Sequence, residues 1–199
     1  MSRRAPATSP SRQGRNKLRI IGGKWRGRKL DFPSVEGLRP TGDRIRETLF
    51  NWLAAATPGA HCLDLFAGSG ALGLESLSRG AASALLLDRD PQVVARLREH
   101  CKTLQAENAR VELADAIKWL ASAPAERFDL VFIDPPFQAE LISQTADALN
   151  ASNCLREEAL IYVEVDQHQH FAPPANWSAI REKRAGQVSF FLFRYRKSV

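Results

Sequence analysis

No apolar run in this 199-residue chain approaches the roughly 18 residues that a membrane-spanning helix needs. The N-terminus has no apolar core region, which argues against a secretory signal. Cysteine is scarce: Cys62, Cys101 and Cys154 are widely spaced and form no C-x-x-C pair. An odd, scattered set of this kind gives a disulfide framework, zinc binding or dithiol redox chemistry no support. It fits apolar thiols in a reducing compartment, and a cytoplasmic protein is expected. His168 and His170 lie near Asp166. A zinc site needs three or four convergent ligands, and this segment supplies no convincing third or fourth, so no metal is expected. A G-x-S-x-G elbow and a Walker A segment are both missing, which removes support for serine hydrolysis and phosphate-loop chemistry. No internal repeat is apparent.

What is present reads as one globular domain. A hydrophobic content of 44% with 25% charged residues is ordinary for a soluble fold. The length suffices for a full core. The charge is unevenly placed. Residues 1–46 hold 13 Lys/Arg and 3 Asp/Glu, a net of +10, whereas the remainder holds 15 and 19, a net of −4. The basic charge is thus an N-terminal device on a mildly acidic body. Residues 1–16 are rich in Arg, Ser and Pro and read as a disordered basic tail. Like-charge tails commonly bind nucleic acid. A transit peptide would also be Arg- and Ser-rich, but Pro6 and Pro10 spoil the amphipathic helix it would use.

Residues 17–36 read as a basic hairpin, two short strands around Gly22-Gly23 and Gly27. Lys24, Trp25, Arg26 and Arg28 sit at or near its turn, with Arg19 and Lys29 beside them. Such a hairpin can grip phosphates and stack an exposed aromatic on an unpaired base. In the plainer reading, Trp25 plugs the edge of the domain and the charges are merely solvated.

Asp134-Pro135-Pro136-Phe137 carries the most chemistry. It follows the apolar run Phe128–Ile133, which reads as a buried strand, and the two prolines must end that strand. A carboxylate, a rigid carbonyl and an aromatic ring are then presented at a strand's C-terminal end, where ligands bind in open α/β sheets. Asp134 and the Pro135 carbonyl can each accept one N–H of an exocyclic amine, while Phe137 stacks on its ring. Upstream, Leu63-Asp64-Leu65-Phe66 runs into Gly68, Gly70 and Gly73, which satisfy G-x-G-x-x-G. Asp88 ends the next apolar run twenty positions after Gly68, the offset of a ribose-binding acid. Glycines and acid together point to a nucleoside cofactor without choosing between a nicotinamide dinucleotide and S-adenosylmethionine. Asp64 helps to choose. A carboxylate there would repel a pyrophosphate, whereas it attracts a sulfonium or ammonium by about 4 kcal/mol at 4 Å before desolvation.

The other elements follow from period and punctuation. Thr41 can cap a helix over about 43–55 and joins the candidate cofactor-binding residues. Asp90-Pro91 opens a helix over 91–106. A short strand at 111–113 ends near Asp115, a helix covers 116–121, and another covers about 138–150. Residues 159–165 read as a strand, and 177–184 and 187–195 as an antiparallel hairpin around Ala185-Gly186. Strands alternating with helices argue an α/β domain over 37–199, a mostly parallel sheet with helices on both faces.

These residues resemble the class I (Rossmann-like) S-adenosylmethionine-dependent methyltransferases. Four segments narrow the likeness: Leu18–Leu30, Leu38–Leu53, Asp64–Gly70 and Asp134–Phe137 together look like the bacterial RsmD family, over about residues 17–196. The resemblance implies a seven-stranded sheet with one antiparallel strand. It also implies methyl transfer to N2 of a guanine in small-subunit (16S) ribosomal RNA, within a small-subunit particle. Asp134, Pro135, Pro136 and Phe137 would then be catalytic, and Asp64, Phe66, Gly68, Gly70, Asp88, Asp115 and Thr41 would bind S-adenosylmethionine. Arg19, Lys24, Trp25, Arg26, Arg28 and Lys29 would meet RNA. Asp88 stands where the family is expected to prefer Glu, and the shorter carboxylate still reaches a ribose diol. No cysteine follows a proline, so the nucleophile of cytosine-C5 methyltransferases is absent. An adenine-N6 or glutamine-amide methyltransferase and a non-catalytic RNA-binding module remain the alternatives on these residues.

Overall fold

The computed structural model describes residues 16–32, 41–122, 124–136 and 139–197. The basic tail expected over 1–16 falls almost wholly outside the described residues, as do Pro33–Pro40, Phe137 and Gln138. Strands β1 (Asn16–Arg19) and β2 (Lys29–Phe32) pair antiparallel and form a separate two-stranded sheet. The other elements, in chain order, are α1 (Asp43–Trp52), β3 (His61–Asp64), α2 (Gly73–Ser78), β4 (Ser83–Asp88), α3 (Pro91–Leu104), β5 (Ala109–Leu113), α4 (Ala116–Ala121), β6 (Phe128–Ile133), α5 (Ala139–Ala151), β7 (Leu155–Asp166), β8 (Trp177–Ala185) and β9 (Val188–Tyr195).

The seven-stranded sheet runs β5-β4-β3-β6-β7-β9-β8. Its first five strands are mutually parallel, and β9 lies antiparallel to both β7 and β8. The central strands are apolar on both faces, as a sheet covered by helices on both sides requires. One core layer joins Cys62, Leu86, Phe132 and Tyr162 to α1, α2, α3 and the hairpin. The other joins Leu63, Val131, Ile133 and Val163 to α4 and α5. The chain leaves β3 towards β4 and β5, then returns to place β6 on its other side. That reversal opens a crevice at the C-terminal strand ends.

Local chemistry explains most boundaries. The Asp90 carboxylate accepts from the Gln92 and Val93 amides at 2.7 and 3.3 Å, with Pro91 in the first helical position, so α3 begins there. It ends at Leu104 rather than 106 because Gln105 takes a left-handed conformation, φ 53°. Helix α1 stops at Trp52, earlier than the apolar spacing implied, and the chain leaves through turns. Its N-cap is Gly42 with no side-chain cap bond, so Thr41 does not cap it. Strand β7 starts at Leu155, four residues before the expected start, and its β6 pairing is irregular between Phe128 and Leu130.

The hairpin is seated by a buried charge network. Glu75 on α2 is 0% exposed and accepts from the Ile21 and Gly22 amides at 2.9 and 2.8 Å. It also pairs with Arg46 at 3.3 Å and Arg79 at 2.8 Å. Arg46, 1% exposed, donates onward to the Arg19 and Thr41 carbonyls. A buried charge persists only where it is paired and hydrogen-bonded, and each of these is. Gly23 lets the backbone close on α2: its φ is +74°, and a Cβ there would stand 1.7 Å from the Ser78 carbonyl oxygen.

Candidate active site

A cavity of about 780 Å³ opens at the crevice and is walled by the ends of β3, β4, β6 and β7. Asp64 closes its floor. This carboxylate is 2% exposed and accepts from the Gly73 amide at 2.9 Å. Burial pushes it up to about 7, against the pull of that bond, and the charges of Asp134 and Asp88 add to the rise. Asp88, at the end of β4, accepts from the Gly68 and Asp90 amides, both at 2.9 Å, and burial raises it as well. Each of its oxygens keeps a second lone pair for a hydroxyl donor. Gly70 is needed at φ +79°, and a Cβ there would meet Leu74 at 2.7 Å.

The turn is ill suited to a pyrophosphate. A diphosphate needs free amides, but those of Gly68, Gly70 and Gly73 already go to Asp88, the Ala67 carbonyl and Asp64. Carboxylates dominate the charged lining, with Arg89 its one basic residue among the described residues. Carboxyls whose ionised form is disfavoured by burial gain most from a cationic ligand, which favours that form. S-adenosylmethionine, with its sulfonium and ammonium, fits this set of carboxylates; a dinucleotide does not.

Asp134 stands directly after β6, partly buried, and accepts from the Thr41 hydroxyl at 2.6 Å. Burial raises its carboxyl and the Thr41 bond opposes the rise. Thr41 is thus a support for Asp134, in place of the helix cap expected for it. Asp134, Pro135 and Pro136 all line the cavity, as do Asp64, Phe66, Gly68, Asp88, Asp115 and Thr41. Gly70 shapes the turn without lining the cavity. Asp115 also caps α4, accepting from the Lys118 amide at 3.0 Å. Phe137 lies outside the described residues.

The hairpin charges Arg19, Lys24, Arg26, Arg28 and Lys29 are exposed. Arg19 pairs with Asp43 at 3.0 Å, and Arg28 reaches the Thr103 carbonyl at 3.4 Å. Trp25 is a correction. It is 7% exposed and joins the core, with its amide donating to Ser78 Oγ at 2.9 Å, so it cannot stack on a base. Its indole is the largest apolar side chain in that turn, and burial is the larger gain. Sequence reasoning missed Glu164, buried on β7 and lining the same cavity. One signal was present: a lone acid near the end of the apolar run Leu160–Val165.

The family model described as "Conserved hypothetical protein 95" matches residues 18–194. The Ribosomal RNA small subunit methyltransferase D of Escherichia coli (strain K12) is 50% identical over 186 residues, 93% of each chain. The Haemophilus influenzae protein of that name is 42% identical over 94% of this chain and 97% of its own. The chain belongs to the RsmD family. Among solved structures, the Escherichia coli protein yhhF superposes with TM-score 0.84 at 51% identity, over 92% of this chain and all of its own. The Thermus thermophilus 16S rRNA N2 G1207 methyltransferase, solved with AdoMet and guanosine, superposes with TM-score 0.68 over 92% of this chain and 50% of its own. At 20% identity that likeness shows the fold alone. The RsmD-family chain is therefore a methyltransferase whose sheet carries the class I fold.

Proposed function

We propose that this protein transfers a methyl group from S-adenosylmethionine to the exocyclic N2 amine of a guanine in small-subunit (16S) ribosomal RNA. Its place of action would be the cytoplasm, on RNA already carried in a small-subunit particle. One observation carries the chemistry: Asp134, fixed by Thr41, shares one cavity with a carboxylate set that suits a cationic nucleoside. The names of the two bacterial relatives support the choice of small-subunit ribosomal RNA.

S-adenosylmethionine bound there supplies an electrophilic methyl group on its sulfonium. Asp88 would hold the ribose hydroxyls, Asp115 would lie beside the adenine amine, and Asp64 would face the ammonium. Phe66, Gly68 and Gly70 would shape the floor. Thr41 occupies Asp134 Oδ2, which leaves Oδ1 to accept one N–H of the target amine. The Pro135 carbonyl accepts the other. The guanine N2 lone pair is delocalised into the ring, and two acceptors on its hydrogens favour a pyramidal nitrogen aimed at the methyl. Phe137 is the aromatic that would stack on the base. As the N–C bond formed, the methyl's bond to sulfur would break to leave a neutral thioether, and the nitrogen's proton, acidic once alkylated, would pass to Asp134. Positioning of this kind supplies about 7–11 kcal/mol in well-oriented cases. A paired base must first be flipped out.

The test compares Asp134→Ala and Asp134→Asn in single-turnover assays at saturating cofactor. Alanine is expected to slow transfer at least about 100-fold while cofactor affinity stays nearly intact, and asparagine to retain more activity. Mass spectrometry of ribosomal RNA from a deletion strain, with and without the gene restored, identifies the product. Assays on naked 16S RNA and on assembled particles separate the two substrate forms. A product other than N2-methylguanosine, or wild-type chemistry in Asp134→Ala, overturns the reading.

A further inference from the structure

The carboxylates of the cavity are ranked across the sheet. The last β6–β7 register pair is Ile133 with Val163, so Asp134 and Glu164 come next, side by side on one face. Adjacent strands lie about 4.8 Å apart, which puts the two carboxylates within reach of one flat group. Asp88 ends β4, two strands from β6, and the sheet order β4-β3-β6-β7 separates the halves of the cavity. Asp88 and Asp64 belong to the cofactor half. Glu164 lies beyond Asp134, in the half left for the acceptor.

Glu164 is only 7% exposed, yet among the described residues its one donor is the Tyr162 hydroxyl, 2.8 Å from Oε2. Tyr162 is itself fully buried and holds that oxygen in place. Oε1 has no donor among the described residues. Burial and the charge of Asp134 both push the Glu164 carboxyl up. Such a group is costly to keep ionised unless a ligand brings it an N–H.

We propose that Glu164 reads the base: its Oε1 accepts the guanine N1–H beside the N2 amine held at Asp134, and so selects guanine over bases with a lone pair at N1. This rests on the guanine-N2 reading above. Guanine presents N1–H and N2–H as adjacent donors to two adjacent carboxylates. Adenine presents its amine beside an N1 lone pair, which the ionised carboxylate would face unpaired; with Glu164 pushed up to about 8, the selection sharpens as pH rises through that value. A site built to accept an N–H rejects an analogue that lacks it. Tyr162 is the positioning residue, fixing which oxygen is free.

The discriminating probe is 2-aminopurine, which keeps the C2 amine, lacks the C6 oxygen and replaces N1–H by a lone pair; comparing variants separates the N1 effect from the loss of oxygen. Once the methylated guanosine is mapped, 16S RNA is ligated with guanosine or 2-aminopurine at that position and reconstituted into particles. Single-turnover kcat/KM is measured for both bases with wild type, E164Q and Y162F. Wild type is expected to prefer guanine, and E164Q to shrink that preference by about 5- to 150-fold, mainly by slowing guanine. Y162F is expected to shrink it less, and it keeps the test informative where E164Q does not fold. Equal slowing of both bases, with the preference unchanged, overturns the proposal and leaves Glu164 a structural residue. Failure of wild type to make N2-methylguanosine overturns the parent reading instead.

Discussion

Cofactor binding is expected to release protons, and the size of the effect follows from Asp64. Its carboxyl sits near 7 because it is buried beneath the glycine turn. A cation placed over it favours the ionised form and returns it towards the ordinary carboxylate range. The sign is then fixed. The free protein carries the proton and the complex does not, so affinity rises with pH. For one group at about 7 the free state is about 97% protonated at pH 5.5 and half protonated at pH 7, which makes the association constant roughly 16-fold larger at pH 7, near 1.6 kcal/mol. This window lies below the titration of the ligand's own α-amino group, near 8. Titration calorimetry at pH 5.5, 6.2 and 7.0, in buffers of different ionisation enthalpy, counts the protons directly. Asp64→Asn is expected to flatten the profile at the cost of weaker binding at pH 7. Affinity that is level or falls with pH in the wild type would refute the placement of a cation at Asp64. The same group sets stability. Its folded titration point lies above the unfolded one, so its contribution is complete below about 4, is lost as pH rises through 7, and is restored by ligand.

Asp88→Ala is expected to weaken S-adenosylmethionine binding by about 1–3 kcal/mol by calorimetry, the loss of a charge-assisted pair of hydrogen bonds. Unchanged affinity in a folded variant would remove Asp88 from the ribose. Reversing Lys24, Arg26 and Arg28 to glutamate is expected to weaken RNA binding and reduce the slope of log K against log salt by about 0.7–0.9 for each phosphate no longer neutralised. Cofactor affinity should be untouched, and normal methylation at physiological salt would make the hairpin a solvated edge.

The parts of this site that could be read from sequence are those written in local chemistry. Two prolines after Phe128–Ile133 must end a strand, and glycines at 68 and 70 must turn, so both ligand-bearing strand ends were legible in the chain itself. The α/β alternation supplied the layers in the same way. Pairings across long stretches of chain have no such signature. Thr41 looks like a helix cap because it precedes an amphipathic run, yet its hydroxyl is taken by Asp134, 93 residues away. Arg46 and Glu75 sit in helices whose patterns would tolerate either as surface charges, and only the packed structure shows them buried together. Trp25 could be an exposed platform or a plug on composition alone, and the apolar face of α2 decides it.

Those long-range links matter for mechanism because they form one chain of contacts. Arg46 holds the backbone carbonyls of Arg19 and Thr41, and the Thr41 side chain holds Asp134. The hairpin that carries the exposed charges and the loop that carries the proposed acceptor are therefore braced through one guanidinium. Arginine suits this place, since a planar fork of five donors can serve two carbonyls and two carboxylates at once, which a lysine ammonium cannot. The brace puts the exposed charges of the hairpin and the Asp134 carboxylate in a common frame. A bound base can then meet Asp134 in a fixed orientation without movement of the sheet, which is what a reaction that depends on positioning requires.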